Sequence, residues 1–148
     1  MPSVRDLGLT DLDALLGLYR HLHTEDDPLP DRSTVEQIWN DLCASPLHLY
    51  LGVESAGELV STCTATIVPN LTRGARPYAV IENVVTHPDY RRRGLGAAVV
   101  TEALRRCWAV GCYKVMLLSG REREDVHAFY EKLGFDKHAK QGFLARPR

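Results

Sequence analysis

The amino-terminal third of the chain has the hydrophobic spacing of two amphipathic helices, after a short first strand around Val4. We expect Thr10 to cap the first helix with Asp13 as its acidic partner, and Ser33 with Glu36 to form a capping box on the second. Apolar residues then recur every three or four positions, which indicates one buried face on each helix. The first stripe is Leu12, Leu15, Leu16, Tyr19 and Leu22, and the second is Val35, Ile38, Trp39 and Leu42.

The middle of the chain is rich in β-branched residues and predicts three strands. Residues 47–54 and 58–68 are expected to pair across a hairpin turn at residues 55–57. An exposed loop at residues 69–77 then leads to a central strand at residues 78–86. These three strands form the middle of the predicted sheet.

A third helix is predicted after the central strand, with Gly111 as its C-cap. The strand predicted next, residues 112–119, is a near-continuous apolar run, which indicates burial on both faces. The buried residues expected on the helix are Leu95, Ala98, Val99, Leu104 and Trp108.

The carboxy-terminal part predicts a fourth helix at residues 124–133, capped by Gly134, and short closing strands at residues 135–138 and 143–145. The resulting order is β-α-α-β-β-β-α-β-α-β-β. The predicted fold is therefore α/β (α+β), a mixed, mostly antiparallel twisted sheet with helices on both faces. A chain of 148 residues is most simply one domain, spanning residues 1–148.

Composition excludes several classes of protein. Hydrophobic residues make up 45% and the net charge is −1, so there is no overall basic field for nucleic acid. The four cysteines show neither Cys-x-x-Cys spacing nor a zinc pattern, so we expect buried reduced thiols and no metal. The chain has no basic-then-apolar leader and no apolar run of about 18 residues, so we expect a cytoplasmic protein without membrane contact.

The most informative segment is an arginine-rich glycine turn between the central strand and the third helix. A phosphate ligand is favoured here by three features together: unpaired N–H groups at a helix start, glycines and guanidinium groups. The alternative is a solvated turn without a ligand. A P-loop requires Lys and Ser or Thr where Ala97 and Ala98 stand, and a dinucleotide fingerprint requires glycine where Val99 stands. The turn and helix start comprise Arg91, Arg92, Arg93, Gly94, Leu95, Gly96 and Ala97.

Two motifs resemble the GCN5-related N-acetyltransferase (GNAT) family. Arg91-x-x-Gly94-x-Gly96 resembles its acetyl-CoA-binding signature, and residues 129–135 resemble its second motif, at the helix end and next strand. The motifs lie in the family's order, and the clear resemblance covers about residues 78 to 135. The resemblance implies the GNAT acyl-CoA acyltransferase fold and acetyl-CoA as co-substrate.

The resemblance also implies how the cofactor would lie. The strands flanking the turn and third helix splay apart in this family, and the pantetheine arm pairs with backbone that corresponds to Val84, Val85 and Thr86. The turn from Arg91 to Ala97 would hold the pyrophosphate. Where the family often has an asparagine on the cofactor arm, this chain has Arg123, so Ser119, Arg121 or Arg123 is expected to substitute.

Two residues are candidates for acid–base chemistry. Glu82 lies in an apolar strand, with Val80 and Val84 expected on its face and Asn83 on the other, and burial would make it a stronger base. In the family a glutamate here often deprotonates the amine; pairing with an arginine or orienting the substrate is the alternative. The resemblance places Tyr130 near the thioester sulfur as the acid, because a phenol with a pKa of about 10 is protonated at pH 7. The alternative for Tyr130 is helix packing.

The acceptor is expected to be a primary amine of a small molecule. Arg73 and Arg76 would favour an anionic acceptor such as a sugar phosphate, and residues 81–85 with 111–115 are similar to the glucosamine-phosphate acetyltransferase branch. The alternatives are a protein or peptide acceptor, a longer acyl group or an oxygen acceptor, and a non-catalytic acyl-CoA sensor. A homodimer is possible by analogy with the family.

Overall fold

The computed structural model describes residues 2–148, which fall into two compact units. The first unit extends to Met116, and the second is Leu117–Arg148. The expectation of one domain stays a prediction.

The first unit is a five-stranded sheet in the order β1-β2-β3-β4-β5, antiparallel except for the parallel β4–β5 pair. Short 3₁₀ turns lie at Leu9–Asp11 and Pro88–Tyr90. The strands are β1 (Arg5–Asp6), β2 (His48–Ser55), β3 (Glu58–Val68), β4 (Tyr78–Thr86) and β5 (Val115–Met116). The helices are α1 (Leu12–Tyr19), α2 (Arg32–Ala44), the short turn α3 (Thr72–Ala75) and α4 (Leu95–Ala109).

The β2–β3 hairpin forms as predicted. Ala56 and Gly57 both have positive φ, +50° and +82°, the backbone that a two-residue turn needs to match the twist of its strands. The mixed sheet with helices confirms the predicted fold class. Strand β4 also has the predicted bounds.

Helices α1 and α2 contribute to one hydrophobic core with the sheet, but their caps differ from prediction. Neither Thr10 nor Ser33 caps a helix. The carboxylate of Asp11 accepts the backbone N–H of Gly8 at 2.7 Å, and Asp31 precedes α2 with its carboxylate accepting the Thr34 hydroxyl at 2.6 Å. Asp11, one residue after Thr10, and Asp31, two residues before Ser33, therefore occupy the N-cap positions, without a side-chain bond to the helix backbone. The buried core residues of this cluster are Leu7, Leu12, Leu15, Leu18, Trp39, Leu59 and Val85.

Partly buried side chains complete this core. They include most of the predicted stripes, whereas Ile38 is exposed. The partly buried residues are Leu16, Tyr19, Leu22, Val35, Leu42, Cys43 and Tyr50.

Helix α4 packs on the sheet through a face whose residues are smaller than those predicted. Trp108 is 51% exposed, and Leu95 and Leu104 are only half-buried. Small side chains let the helix approach β3 closely, and the Cys63 thiol donates to the Val99 carbonyl oxygen at 3.4 Å. Gly111, with φ +86°, follows the helix as predicted. The buried face is Ala98, Val99, Val100, Ala103 and Cys107.

Strand β5 is much shorter than predicted. It pairs with β4 only at Ala79–Val115 and Val80–Met116. Cys112 is buried, but residues 113–117 are half-buried, so burial on both faces was wrong. Apolar composition alone did not reveal that β4 and β5 share only two residue pairs.

The second unit contains one helix, α5 (Glu124–Lys132). Gly134 has φ +94° and follows the helix as predicted. The predicted closing strands at 135–138 and 143–145 are absent, since residues 117–148 contain no strand. Phe143 is 90% exposed, so it has no packing face that a strand would require. No helix within residues 2–148 is both long and apolar enough to cross a membrane.

Gly52 on β2 provides a test of packing in the first unit. A Cβ here would lie 2.6 Å from Leu59 Cδ1 and 2.8 Å from Leu7 Cδ2, both on buried residues. We expect Gly52→Ala to lower the free energy of unfolding by about 1–3 kcal/mol because the core is overpacked. Urea denaturation followed by circular dichroism measures this loss.

Gly17→Ala in α1 is the matched control. No atom lies within 4 Å of the added Cβ, so a gain of about 0.5–1 kcal/mol is expected from helix propensity. Equal stability changes in the two variants would contradict the packing at Gly52.

Candidate active site

Strand β4 is interrupted by a bulge at the centre of the candidate site. Thr64 on β3 pairs with Glu82 and Thr62 pairs with Val85, so β4 contains one extra residue between these pairs. Asn83 has φ +53°, a left-handed backbone that is uncommon for a residue other than glycine. Strain of this kind is concentrated at functional sites.

The bulge changes which side chains share a face. Glu82 lies on the same face as Val80, as predicted, because their partners Thr64 and Thr66 are two residues apart. Beyond the bulge that face continues with Val85, so placing Val84 beside Glu82 was wrong. The sequence contains no signal for the bulge beyond the asparagine.

Glu82 is exposed, so its predicted burial was wrong. Its carbonyl oxygen accepts the Thr64 hydroxyl at 3.0 Å, which anchors the backbone beside the bulge. None of the ion pairs in the described part of the chain involves its carboxylate. The carboxylate is therefore accessible to a substrate or water.

Helix α1 contributes a buried phenol to the same face of the sheet. The Tyr19 hydroxyl and the Trp39 indole N–H are both buried without a hydrogen-bond partner among residues 2–148. Burial raises the pKa of Tyr19. The phenol therefore remains protonated at neutral pH. The helical spacing of α1 predicted only a core position for Tyr19.

One edge of β4 is unpaired over most of its length. Within residues 2–116, β5 covers this edge only at Ala79 and Val80. The segment from Ile81 to Thr86 thus offers backbone groups to a ligand on that side, which fits the splayed strands expected of an acyl-CoA site. Val85 is buried and the Thr86 hydroxyl bonds Ser61 Oγ at 2.8 Å, so backbone rather than side chains is available there.

The arginine turn has the backbone geometry of an anion site. Gly94 has φ +77° and is the N-cap of α4, and its carbonyl oxygen accepts the Ala98 N–H at 3.0 Å. The N–H groups of Leu95, Gly96 and Ala97 precede that first helical bond and have no intrahelical partner. The helix dipole adds positive potential at this end.

The three arginines spread outward around this helix end, and all three are exposed. Arg91 Nε donates to the Thr86 carbonyl oxygen at 3.2 Å. Arg93 donates to the Asp89 carbonyl oxygen at 3.1 Å and lies 5.1 Å above the Tyr90 ring. None of these arginines forms an ion pair within residues 2–148.

Two histidine rings pack beside the arginine turn. The rings of His21 and His87 lie 4.6 Å apart edge to face, and His87 lies 5.6 Å from Tyr90. His87 Nδ1 accepts the Asp89 N–H at 3.2 Å, which closes the turn after β4. The contact with His21 connects residues 66 positions apart, so sequence reasoning could not find it.

The second unit contains Tyr130 and the candidate substitutes for the family asparagine. The Tyr130 ring packs 5.0 Å from Phe129 and 5.7 Å from Phe135, and its carbonyl oxygen accepts the Phe135 N–H at 3.1 Å. Ser119 is exposed and outside any strand.

The polar residues near Tyr130 in sequence are exposed or bonded within the second unit. Arg121 and Arg123 are exposed, and Arg123 directly precedes α5. His127 Nε2 donates to the Gly120 carbonyl oxygen at 2.8 Å, a contact inside the second unit.

The residues present fit a CoA thioester. Arg91 to Ala97 supply a glycine N-cap, exposed guanidinium groups and orphan N–H groups for a diphosphate, and the open edge of β4 supplies backbone partners for an amide-containing arm. Both features belong to the first unit.

Comparison with known proteins agrees with this chemistry. Residues 12–135 match the model of the acetyltransferase (GNAT) family. A glucosamine 6-phosphate N-acetyltransferase of Trypanosoma brucei brucei is 41% identical over 139 residues, which is 94% of this chain and 92% of that protein.

Two solved structures are similar throughout. A protein from Agrobacterium tumefaciens str. C58, described as an acetyltransferase, has 44% identity and a TM-score of 0.91, covering 98% of this chain and 99% of the other. An acetyltransferase of Trypanosoma brucei has 32% identity and a TM-score of 0.81, covering 99% and 100%. The chain therefore belongs to the GNAT family of acetyltransferases and is an N-acetyltransferase that uses acetyl-CoA.

Proposed function

We propose that this enzyme acetylates the amino group of glucosamine 6-phosphate. The observation that carries the proposal is the 41% identity, over nearly the full length of both chains, to a glucosamine 6-phosphate N-acetyltransferase. The free edge of β4 and the exposed carboxylate of Glu82 beside the bulge support it. The free edge would hold the amide-containing arm of acetyl-CoA, and the Glu82 carboxylate would face the acceptor amine of a direct transfer.

Each residue has a role in this proposal. Glu82 accepts the proton of the amine, directly or through water, as the general base. Backbone N–H groups near Val84 and Val85 stabilise negative charge on the acyl oxygen. Tyr130 donates a proton to the leaving sulfur. Acetyl-CoA, when bound, supplies an acetyl group activated as a thioester.

Thiol release tests the acceptor. We expect glucosamine 6-phosphate to give a higher kcat/KM than glucosamine, a diamine or a peptide with a free amino terminus. The assay follows CoA with a thiol reagent and the acetylated product by mass spectrometry. Preference for a peptide or an unphosphorylated amine would overturn the proposed acceptor while leaving the family activity intact.

The arginine turn provides a binding prediction. Acetyl-CoA at about 100 times its Kd should stabilise the protein by roughly 2.7 kcal/mol, visible as a shift of several degrees in Tm. We expect Arg91→Ala and Arg93→Ala each to raise that Kd by about tenfold, because each removes a charged donor from the diphosphate.

Arg105→Ala is the control for these two variants. Arg105 is an exposed arginine on α4 paired with Glu102, away from the turn in sequence. Isothermal titration calorimetry gives the three Kd values. Unchanged affinity in both turn variants would remove the diphosphate from this turn.

A further inference from the structure

A second cluster of cations lies at the opposite end of β4 from the arginine turn. We define the β3–β4 cation cluster as Arg73, Arg76 and Lys114 with the rings of Tyr78 and Tyr113. Lys114 Nζ lies 5.3 Å from the centre of each ring, and Arg76 Cζ lies 5.7 Å from that of Tyr113. The two rings are 6.4 Å apart.

Backbone pairing brings these residues together from distant parts of the chain. The Tyr113 N–H donates to the Pro77 carbonyl oxygen at 2.9 Å, and the Ala79 N–H donates to that of Lys114 at 3.1 Å. The cluster therefore sits where β5 begins to pair with β4. All of its members belong to the first unit.

The cluster has positive charge without a counter-charge. No ion pair in residues 2–148 involves Arg73, Arg76 or Lys114. By contrast, Arg5, Arg32, Arg105 and Arg106 all pair with carboxylates. Arg76 and Lys114, which both contact the Tyr113 ring, thus have no acidic partner, and Arg73 lies in the same loop as Arg76. Cations in this state favour binding of a multiply charged anion.

The loop that presents the arginines is strained and held in place. Arg73, Gly74 and Ala75 have φ values of +55°, +72° and +58°, unfavourable for the two residues other than glycine. Asn70 Nδ2 donates to the Thr72 hydroxyl at 2.9 Å and to the Arg76 carbonyl oxygen at 3.1 Å. Arg76 Nε donates to the Arg73 carbonyl oxygen at 2.8 Å, which keeps the two arginines adjacent.

The cluster lies along the strand that carries Glu82. Tyr78 and Glu82 are four residues apart on one face, which corresponds to about 13 Å along a strand. A hexosamine phosphate and a long cationic side chain together span such a distance. The amine would then lie near Glu82 while the phosphate contacts the cations.

We propose that the β3–β4 cation cluster binds the phosphate of the acceptor, a phosphomonoester of an amino sugar. The inference rests on the proposed function and assigns that substrate's charged group to these residues. Arg76 and Arg73 supply guanidinium donors, Lys114 supplies a point charge, and the tyrosine rings supply apolar surface against the sugar.

Kinetics with paired substrates test the cluster. We expect Arg73→Ala, Arg76→Ala and Lys114→Ala each to raise KM for glucosamine 6-phosphate about tenfold, with kcat nearly unchanged. KM for unphosphorylated glucosamine and Kd for acetyl-CoA should not change. Arg105→Ala is the matched control, and Tm values verify folding.

Two further measurements separate the possible outcomes. If the cluster binds the 3′-phosphate of CoA instead, Arg76→Ala will abolish the preference for acetyl-CoA over its 3′-dephospho form, which overturns the inference. Glucose 6-phosphate, which has no amine, is titrated into wild type and Arg76→Ala by calorimetry. Weaker binding in the variant supports the site even if no amino sugar is acetylated, so that only the proposed function fails.

Retained acetylation of glucosamine 6-phosphate with unchanged KM in all three variants overturns the site and leaves the function standing. Failure of wild type both to bind glucose 6-phosphate and to acetylate glucosamine 6-phosphate overturns both proposals.

Discussion

Tyr130→Phe is expected to lower kcat by about 100-fold or more while the Kd of acetyl-CoA stays the same. General acid catalysis by a positioned side chain contributes typically 10²–10⁴-fold. The substitution removes only a hydroxyl, because phenylalanine keeps the ring contacts with Phe129 and Phe135. The loss should therefore appear in turnover rather than in folding or cofactor affinity.

Steady-state kinetics and calorimetry on the same preparations separate these effects. Phe135→Leu is the matched control, because it alters the same ring cluster without removing a hydroxyl. We expect it to lower Tm with little effect on kcat. A Tyr130→Phe enzyme that keeps kcat within threefold of wild type would reduce Tyr130 to a packing residue of α5.

Glu82→Gln is expected to lower kcat/KM by about 100-fold at pH 6–7, with a loss that shrinks as pH rises. An amine with a pKa near 8, as for an α-amino group, is mostly protonated at pH 6–7 and must lose a proton before attack. Above that pH the substrate is already neutral, so a base contributes less. The pH–rate profile of the variant should therefore approach that of wild type at high pH.

A positioning role for Glu82 predicts a different profile. Losing an orienting contact would lower kcat/KM by the same factor at every pH, so a constant ratio from pH 6 to 9.5 would contradict the base assignment. Glu58→Gln, an exposed glutamate on β3, is the matched control and should retain wild-type rates. Because Glu82 is exposed, the experiment also tests whether an exposed carboxylate is a sufficient base.

The backbone geometry of the arginine turn was predictable because its information is contiguous. Gly94 directly precedes α4, and a glycine with φ +77° at a helix start is encoded within a short segment. Gly111 and Gly134 were predictable for the same reason, since each terminates its own helix. The hairpin turn at residues 56–57 was predictable for the same reason, since its conformation also depends on a short contiguous segment.

Other features depend on contacts between distant residues. The face that α4 buries was predicted with Trp108 inside, yet small residues pack on β3 and Trp108 remains exposed. Periodicity gives a helix but does not fix its rotation when both faces carry apolar residues. Likewise, a carboxylate in an apolar strand indicated burial for Glu82, whereas the environment above that face left it exposed.

By itself the sequence determined the family, the α/β order of the elements through α5, and the turn that fits a diphosphate. These follow from motifs and periodicities that operate within about ten residues. Only the tertiary structure decided the bulge at Asn83, the short pairing of β4 with β5, and the contact of both Lys114 and Arg76 with the Tyr113 ring. The register of paired strands and the contacts between distant side chains are set by the packing of segments far apart in sequence. No local pattern contains that information.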